Sequence, residues 1–447
     1  MPKKKTALTI EERLQQALVP AEEQPYEVPE NWVWVRLGEV NKYISKSVNP
    51  ISEPDKIFEL YSVPSMVDNY PEIIAGSDIG SSKQSVCKKD VLLCKINPRI
   101  NRVWKVSQFT DNELIASSEW IIIRNNHIDA NYLMYCFQSK YFREFMLSNV
   151  SGVGGSLMRA QPKYVQTYPI PLPPLSEQQR IVERIEELFA KLEEAKERLQ
   201  EVANSFAVRK AAILHKAFTG ELIGKQVTEL VPLENLVDLI KIGPFGSSLH
   251  ESDYIENGIP LVNPKHIVQQ RIVPQSKISI SDEKAEELSS YKLKENDIVL
   301  GRRGEMGRCA PISNREENWI CGTGSMIIRL KKEYDAKLYS LILGSQATVT
   351  YLENSAVGST LKNLNEKIVR KIPVPQFSSE EQHEIVRLID DLLARERAAQ
   401  QAAEQALATI DLMKKSILAR AFRGELGTNK ASEASALELL KQVMAEG

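Results

Sequence analysis

Apolar residues recur in alternating steps of four and three along two long stretches of the chain, Ser176 to Leu222 and Glu380 to Leu426. In the first, Ile181, Ile185, Leu188, Leu192, Ala195, Leu199, Val202, Phe206 and Ile213 make one stripe, with a half-step missing at Arg209. In the second, the equivalent positions are Ile385, Ile389, Leu392, Glu396, Ala399, Ala403, Ala406, Ile410, Met413 and Ile417, and its thin middle allows a partner to approach closely. A stripe of this period is the seam of a coiled coil. Nearly every position off the first seam is charged, as in Glu186, Glu187, Lys191, Glu193, Glu194, Lys196, Glu197 and Arg198, so the stretches predict rods rather than helices laid on a globular core. Ser176 with Gln179 predicts a capping box at the first rod's start, and Pro171, Pro173 and Pro174 forbid an earlier one. Roughly 40 residues at about 1.5 Å each give a rod of about 60 Å.

The two stretches align without a gap. Ile181-Val182 recurs at Ile385-Val386 and Ala217-Phe218 at Ala421-Phe422, a constant offset of 204. What precedes each rod repeats more loosely, as alternating or continuous apolar runs punctuated by Gly, Pro, Asn and Ser. WVWVRLGEV from Trp32 opens one body and VPLENLVDLIKI from Val231 the other. KKDVLLCKINPRINRVWKV from Lys88 parallels KENDIVLGRRGEMGRCAPI from Lys294: a turn, a buried strand, then a basic turn. The strands SSEWIIIR and GTGSMIIRL follow, then helical NYLMYCFQSKYFREFML and AKLYSLILGSQATVTYL. The expected fold is therefore two pseudo-repeats of a mixed α/β (α+β) body, each followed by a rod. Its expected segments are a tail with a short helix over 1–30, bodies over 31–175 and 231–379, rods over 176–222 and 380–426, and a second tail with a short helix over 427–447. The final helix candidate, SALELLKQVMAEG, is suited to cover the Thr9 to Leu18 helix. Only eight residues separate Leu222 from Val231, so the second body is tethered to the far end of the first rod, and packed rods run antiparallel.

Composition alters this picture in two places. No apolar run approaches membrane-spanning length and the N-terminus lacks an apolar signal core, so no membrane association and a cytoplasmic location are expected. The odd set of five cysteines, without C-x-x-C spacing, predicts buried thiols rather than disulfides or a zinc site. The formal net charge of −2 speaks against a nucleic-acid binder at face value. Yet acid concentrates on the rods, while Lys83, Lys88, Lys89, Lys95, Arg99, Arg102 and Lys105 face only Asp90 in one stretch of the first body. Fields over a Debye length matter more than the total.

Motifs for catalytic chemistry are sparse in the sequence. Gly220-Glu-Leu-Ile-Gly224-Lys225 has the wrong spacing for a phosphate loop, and Gly152-Val153-Gly154-Gly155 follows a helix instead of opening one after a strand. No Asn-Pro-Pro-Tyr string exists, the five histidines have no metal spacing, and Pro54-Asp55 lacks a nuclease partner. No catalysis, bound cofactor or metal is expected of this chain. Nucleic-acid contacts are better supplied. Arg302, Arg303 and Arg308 sit on a Gly-rich turn after a strand, where guanidinium forks suit guanine edges or phosphate; Lys95, Asn97, Arg99, Asn101 and Arg102 occupy the corresponding turn of the first body. Lys83 and Lys105 add charge, and Ser247, Ser248, His250, Tyr254, Asn263, Lys265 and His266 add polar groups in the second body. Ser156 and the pair Ser359, Thr360 lie in matched loops suited to phosphate. Phe218 with Leu222, and Phe422 with Leu426, are apolar groups near the rod ends, fit for packing on the adjacent body or for docking a partner subunit.

The segments IPLPPLSEQQRIV and AFTGEL, repeated as IPVPQFSSEEQHEIV and AFRGEL, resemble the specificity subunit of type I restriction-modification enzymes. NDIVLGRRGEMG and VGSTLKNLNEKIVRKIPVP support the resemblance, which runs from about Trp32 to Leu426. It implies two target-recognition domains, each reading one half of an asymmetric bipartite site in double-stranded DNA, separated by two long antiparallel coiled-coil helices. It also implies two modification subunits that methylate adenine and restriction subunits that translocate and cleave, with S-adenosylmethionine, ATP and Mg used by those partners. The first body departs from the Gly-rich turn, having CKINPRINR where the second has LGRRGEMGR. A two-headed coiled-coil scaffold that bridges proteins without DNA is the alternative.

Overall fold

Continuous apolar runs become central strands, twice in the same way. The computed structural model describes residues 9–151, 158–245, 248–355 and 363–445. In the first body, Val91–Cys94 is buried at all four positions and lies between Val103–Lys105 and Trp120–Ile123, antiparallel to both. In the second, the wholly buried strand Asp297–Gly301 lies between Cys309–Pro311 and Ser325–Leu330, and the latter also pairs with Val237–Ile242. Each central strand begins at a buried aspartate that closes the preceding turn and takes an arginine in two-pronged fashion. Asp90 accepts the Cys87 amide at 2.8 Å and Arg124 at 2.7 and 2.6 Å; Asp297 accepts the Lys294 amide at 2.8 Å and Arg329 at 2.8 and 2.7 Å. The bodies diverge around this shared element. The first adds a five-stranded sheet ordered Ser47–Val48, Lys83–Ser85, Glu113–Ala116, Ile57–Tyr61, Glu72–Ala75; the second adds three strands ordered Ser279–Ile280, Ile259–Val262, Ile320–Cys321.

The chain divides into two compact units, residues 1–198 with 406–447 and residues 199–405, so each unit holds one body and a stretch of each long helix. In the first unit Arg180 pairs with Glu433 at 2.8 Å and Glu193 with Lys414; in the second Arg209 pairs with Glu396 at 2.6 Å and Lys225 with Glu381 at 2.7 Å. On the helices themselves, Glu193 pairs with Lys414 while the earlier Ile181 and Ile185 share a core with the later Leu418 and Ala421, and Arg209 pairs with Glu396 while the later Ala217 shares a core with the earlier Ile385 and Ile389, so the pairing is antiparallel within each unit. Its apolar ends merge into the cores of the bodies. Ile181, Ile185, Leu418, Ala421 and Phe422 join the first body's core, and Ala217, Ile385 and Ile389 the second's.

Several details differ from the sequence expectation. The first rod is two helices, Leu175–Asn204 and Phe206–Phe218. The break falls at Ser205, where the Arg209 side chain reaches back to the Val202 carbonyl at 3.3 Å while also crossing to Glu396. The missing half-step of the stripe is thus an ion pair set into the seam. Ser176 lies inside its helix and donates to Glu433 at 3.0 Å, so it caps nothing; the capping box belongs to the second rod, where Ser378 and Glu381 exchange bonds of 2.8 and 3.3 Å. The long helices end at Phe218 and Ala421 rather than Leu222 and Leu426, because Gly220 and Gly424 take left-handed φ of 81° and 74°. Ala195, Ala399, Val202 and Met413 are exposed, the last two by 40% and 48%, so the central seam is thinner than the stripe suggests. Next to Met413, Lys414 turns inward over the Phe189 ring.

The short helices Ile10–Ala17 and Ala436–Ala445 do pack together, with Arg13 donating to the Met444 carbonyl at 3.1 Å. Four cysteines are buried; Cys87 is exposed, against expectation, on the turn that Asp90 closes. Among the described residues, no helix is long and apolar enough to cross a membrane.

Candidate nucleic-acid interface

The basic turn of the second body leaves its central strand at Gly301 and returns at Cys309. Gly304 and Gly307 have φ of 82° and 75°, and a Cβ on Gly307 would meet Val349 at 2.5 Å, so the turn is tight and anchored. Arg303 is exposed and bridges through its backbone to Asn363. Arg302 does not project as the sequence suggests. It is only 7% exposed, its Nε donates to the Leu364 carbonyl at 3.3 Å, and its own carbonyl accepts the Leu364 amide at 3.0 Å. Burial, then the charge of Arg303, push its guanidinium below the usual arginine value. Arg308 is engaged with Glu305 and with the Pro264 carbonyl at 3.3 Å, so its fork is already occupied.

The first body's turn is held in the equivalent way. The Ala160 amide donates to the Lys95 carbonyl at 2.8 Å, and 160 and 364 are separated by the same 204 residues as the rods. Asn97, at φ 46°, donates its amide to Met158, and the Asn101 side chain donates to the Gln138 carbonyl at 2.9 Å. The Asn97 backbone and the Asn101 side chain thus help to shape the turn. Arg99 is exposed and Arg102 half-buried on the same turn. Lys105 lies at the other end of its strand, opposite Val91, with Nζ 2.6 Å from Asn131; Lys83 belongs to the five-stranded sheet, bonded to Ser81. The fold brings neither to the turn, and burial lowers the Lys83 ammonium below its ordinary value.

Of the polar groups named around the second turn, Lys265, Ser248 and His250 are exposed. His250 and Asp253 cap a single helical turn, and Tyr254 packs on a small core with Ile259 and Tyr291. His266 is 1% exposed, with Nδ1 2.8 Å from the Leu261 carbonyl, so it is structural and out of reach of a ligand. Asn263 opens the helical turn Pro264–His266 and abuts Gly322, where a Cβ would lie 2.3 Å from its Oδ1. Ser156, Ser247, Ser359 and Thr360 lie outside the described residues. Sequence reasoning missed Phe245, which is 61% exposed two residues beyond Gly243, whose amide bonds to Ser325 at the same end of the sheet as Arg302.

The groups at the rod ends separate into two kinds. Phe422 is 1% exposed, edge-on to Tyr132 at 5.4 Å, and cannot meet a partner subunit, because the first body's core has closed over it. Phe218 and Leu222 pack partly buried on the second body's core and Leu426 on the first's.

The family model described as Type I restriction modification DNA specificity domain matches residues 29–204 and 234–406. The type I restriction enzyme EcoBI specificity subunit of Escherichia coli is 29% identical over 306 residues, 62% of this chain and 64% of that protein, so the match spans just under two thirds of that relative's length. The EcoKI specificity subunit of Escherichia coli strain K12 is 25% identical over 341 residues, 71% of this chain and 72% of that one. The HsdS subunit from Thermoanaerobacter tengcongensis shares the fold, with a TM-score of 0.67 at 22% identity over 90% of this chain and 99% of that chain. A chain from a structure of complex assembly and conformational transition in the type I R-M system gives a TM-score of 0.64 at 23% identity over 90% and 100%.

Proposed function

The chain belongs to the family of type I restriction-modification DNA specificity subunits and carries two DNA specificity domains, and from that premise we propose how it acts. Each body reads one half of an asymmetric, bipartite site in duplex DNA. The paired helices set the unread gap between the halves, and the subunit gathers two adenine-methylating modification subunits and the restriction subunits around the site. Chemistry belongs to those partners, with S-adenosylmethionine, ATP and Mg; this chain contributes recognition, in the cytoplasm.

One observation carries the reading. A basic turn leaves the end of the central strand in both repeats and is pinned by the same backbone bond, Ala160 to Lys95 and Leu364 to Arg302, while the surrounding sheets differ. A constant mount with a variable surround is what two readers of different half-sites require. Arg99 in the first body and Arg303 in the second are the exposed forks of these turns, suited to base edges or phosphates.

The test is binding of the full chain to duplex DNA across a salt series, with equilibrium dialysis against S-adenosylmethionine alongside. Affinity that falls steeply with salt, without cofactor binding by the isolated chain, supports recognition as its role. Salt-insensitive or absent DNA binding supports a protein-bridging scaffold, and tight cofactor binding supports an enzyme.

A further inference from the structure

Among the described residues, Arg302 is the sole lysine or arginine that is buried. Four half-buried arginines are each neutralised by an acid: Arg124 by Asp90, Arg329 by Asp297, Arg209 by Glu396 and Arg180 by Glu433. Arg302 has a carbonyl instead, that of Leu364, and beside it stands a second cation, Arg303. A guanidinium taken out of water without a counter-charge is costly, and the cost persists until an anion arrives.

We propose that Arg302 is a phosphodiester-binding site, which grips the DNA backbone and carries no sequence information; this rests on the reading of the chain as a DNA-recognition subunit. A base-reading arginine must extend into a groove, but the Leu364 carbonyl holds the Arg302 Nε back against the body. Backbone phosphates form the outermost surface of the duplex and can come to a recessed fork. The fork also matches phosphate geometry in two-pronged fashion. Arg303, exposed on the same turn, is the group left to reach a base edge. The first body places Lys95 at the equivalent position, a point charge without a fork, so its hold on the backbone is looser.

The experiment uses the full chain and its Arg302→Gln and Arg302→Lys variants in two measurements. The first is thermal unfolding in inorganic phosphate against chloride at equal ionic strength; the second is the slope of log affinity against log salt on a duplex of random sequence. Phosphate should raise the unfolding temperature of the unsubstituted chain, and that increment should vanish in Arg302→Gln and shrink in Arg302→Lys. The salt slope should fall by about 0.9 in Arg302→Gln, the value of one lost phosphate contact, and hold in Arg302→Lys. Should Arg302→Gln not fold, the lysine variant still separates a fork from a point charge through its phosphate increment. Equal increments and equal slopes in all three proteins overturn the site. An unchanged slope with a broadened set of bound sequences overturns it in favour of base reading. An Arg302-dependent phosphate increment in a chain that binds no duplex overturns the DNA reading and leaves an anion site of another kind.

Discussion

Gln178, in the first turn of a long helix, accepts the Asp129 backbone amide on its Oε1 at 2.8 Å while its own amide donates to the Pro173 carbonyl at 2.9 Å. At the same offset of 204 residues, Gln382 accepts the Asp335 amide at 2.8 Å and donates to the Phe377 carbonyl at 3.0 Å. Both glutamines are buried, and both fix the start of a rod to the start of a helix in its own body. Replacing either by leucine leaves a backbone donor and acceptor unmatched, so Gln178→Leu and Gln382→Leu should each destabilise their own unit by about 1–3 kcal/mol. Urea unfolding followed by hydrogen exchange in each unit measures this; a loss spread equally over both units would contradict it.

The aspartate that opens each central strand should matter more. Asp297 is 1% exposed, and its loss strands the half-buried Arg329 and the Lys294 amide together. Asp297→Ala should cost about 3–5 kcal/mol, the usual penalty for breaking a buried pair from one side. A double change to Asp297→Ala with Arg329→Met should recover part of that, as chemical denaturation of the pair of variants would reveal.

Phe422 tests the closure of the first body over the helix end. As a nearly fully buried ring against Tyr132, it should cost about 3–5 kcal/mol when replaced by alanine. Phe218→Ala, at a partly buried position, should cost less. Calorimetry of the two variants decides the order, and equal losses would indicate that Phe422 is not sealed in.

His266 gives the second unit a dependence on pH. Burial, which outweighs the help of the Leu261 carbonyl, holds its imidazole below the ordinary 6.5, and Lys265 pushes the same way. Between that lowered value and 6.5 the unfolded chain binds more protons than the folded one, so stability is fully present above 6.5 and falls as pH drops through the window. Unfolding of the second unit should become easier below pH 6.5, and His266→Gln should flatten the change. A pH-independent difference between the two proteins would contradict this sign.

The periodic parts of the molecule were legible because their causes are local. Seam residues such as Ile181 and Ile385, the runs at Val91 and Ile298, and the 204-residue offset all follow from side-chain spacing alone. The site was less legible because burial there depends on distant chain. Arg302 is covered by Leu364, 62 residues later, and Asn101 is turned inward by Gln138; neither pairing leaves a trace in local pattern. Ser176 shows the same limit at a helix end: the S-x-x-Q string is present, but the one Pro174 carbonyl accepts the Glu177 and Gln178 amides and starts the helix earlier, and the serine turns to Glu433 instead. Phe422 looked available because the rod's seam did not use it, whereas the body's core did.

The central claim is that each body reads its own half of one site. Its most direct measurement is a map of methylated adenines in cells carrying the full complex, with residues 231–379 of this chain replaced by the matching segment of a relative of different preference. The account predicts a two-part motif in which one half changes while the other half and the gap between them stay the same. A motif altered in both halves, or in neither, would contradict it.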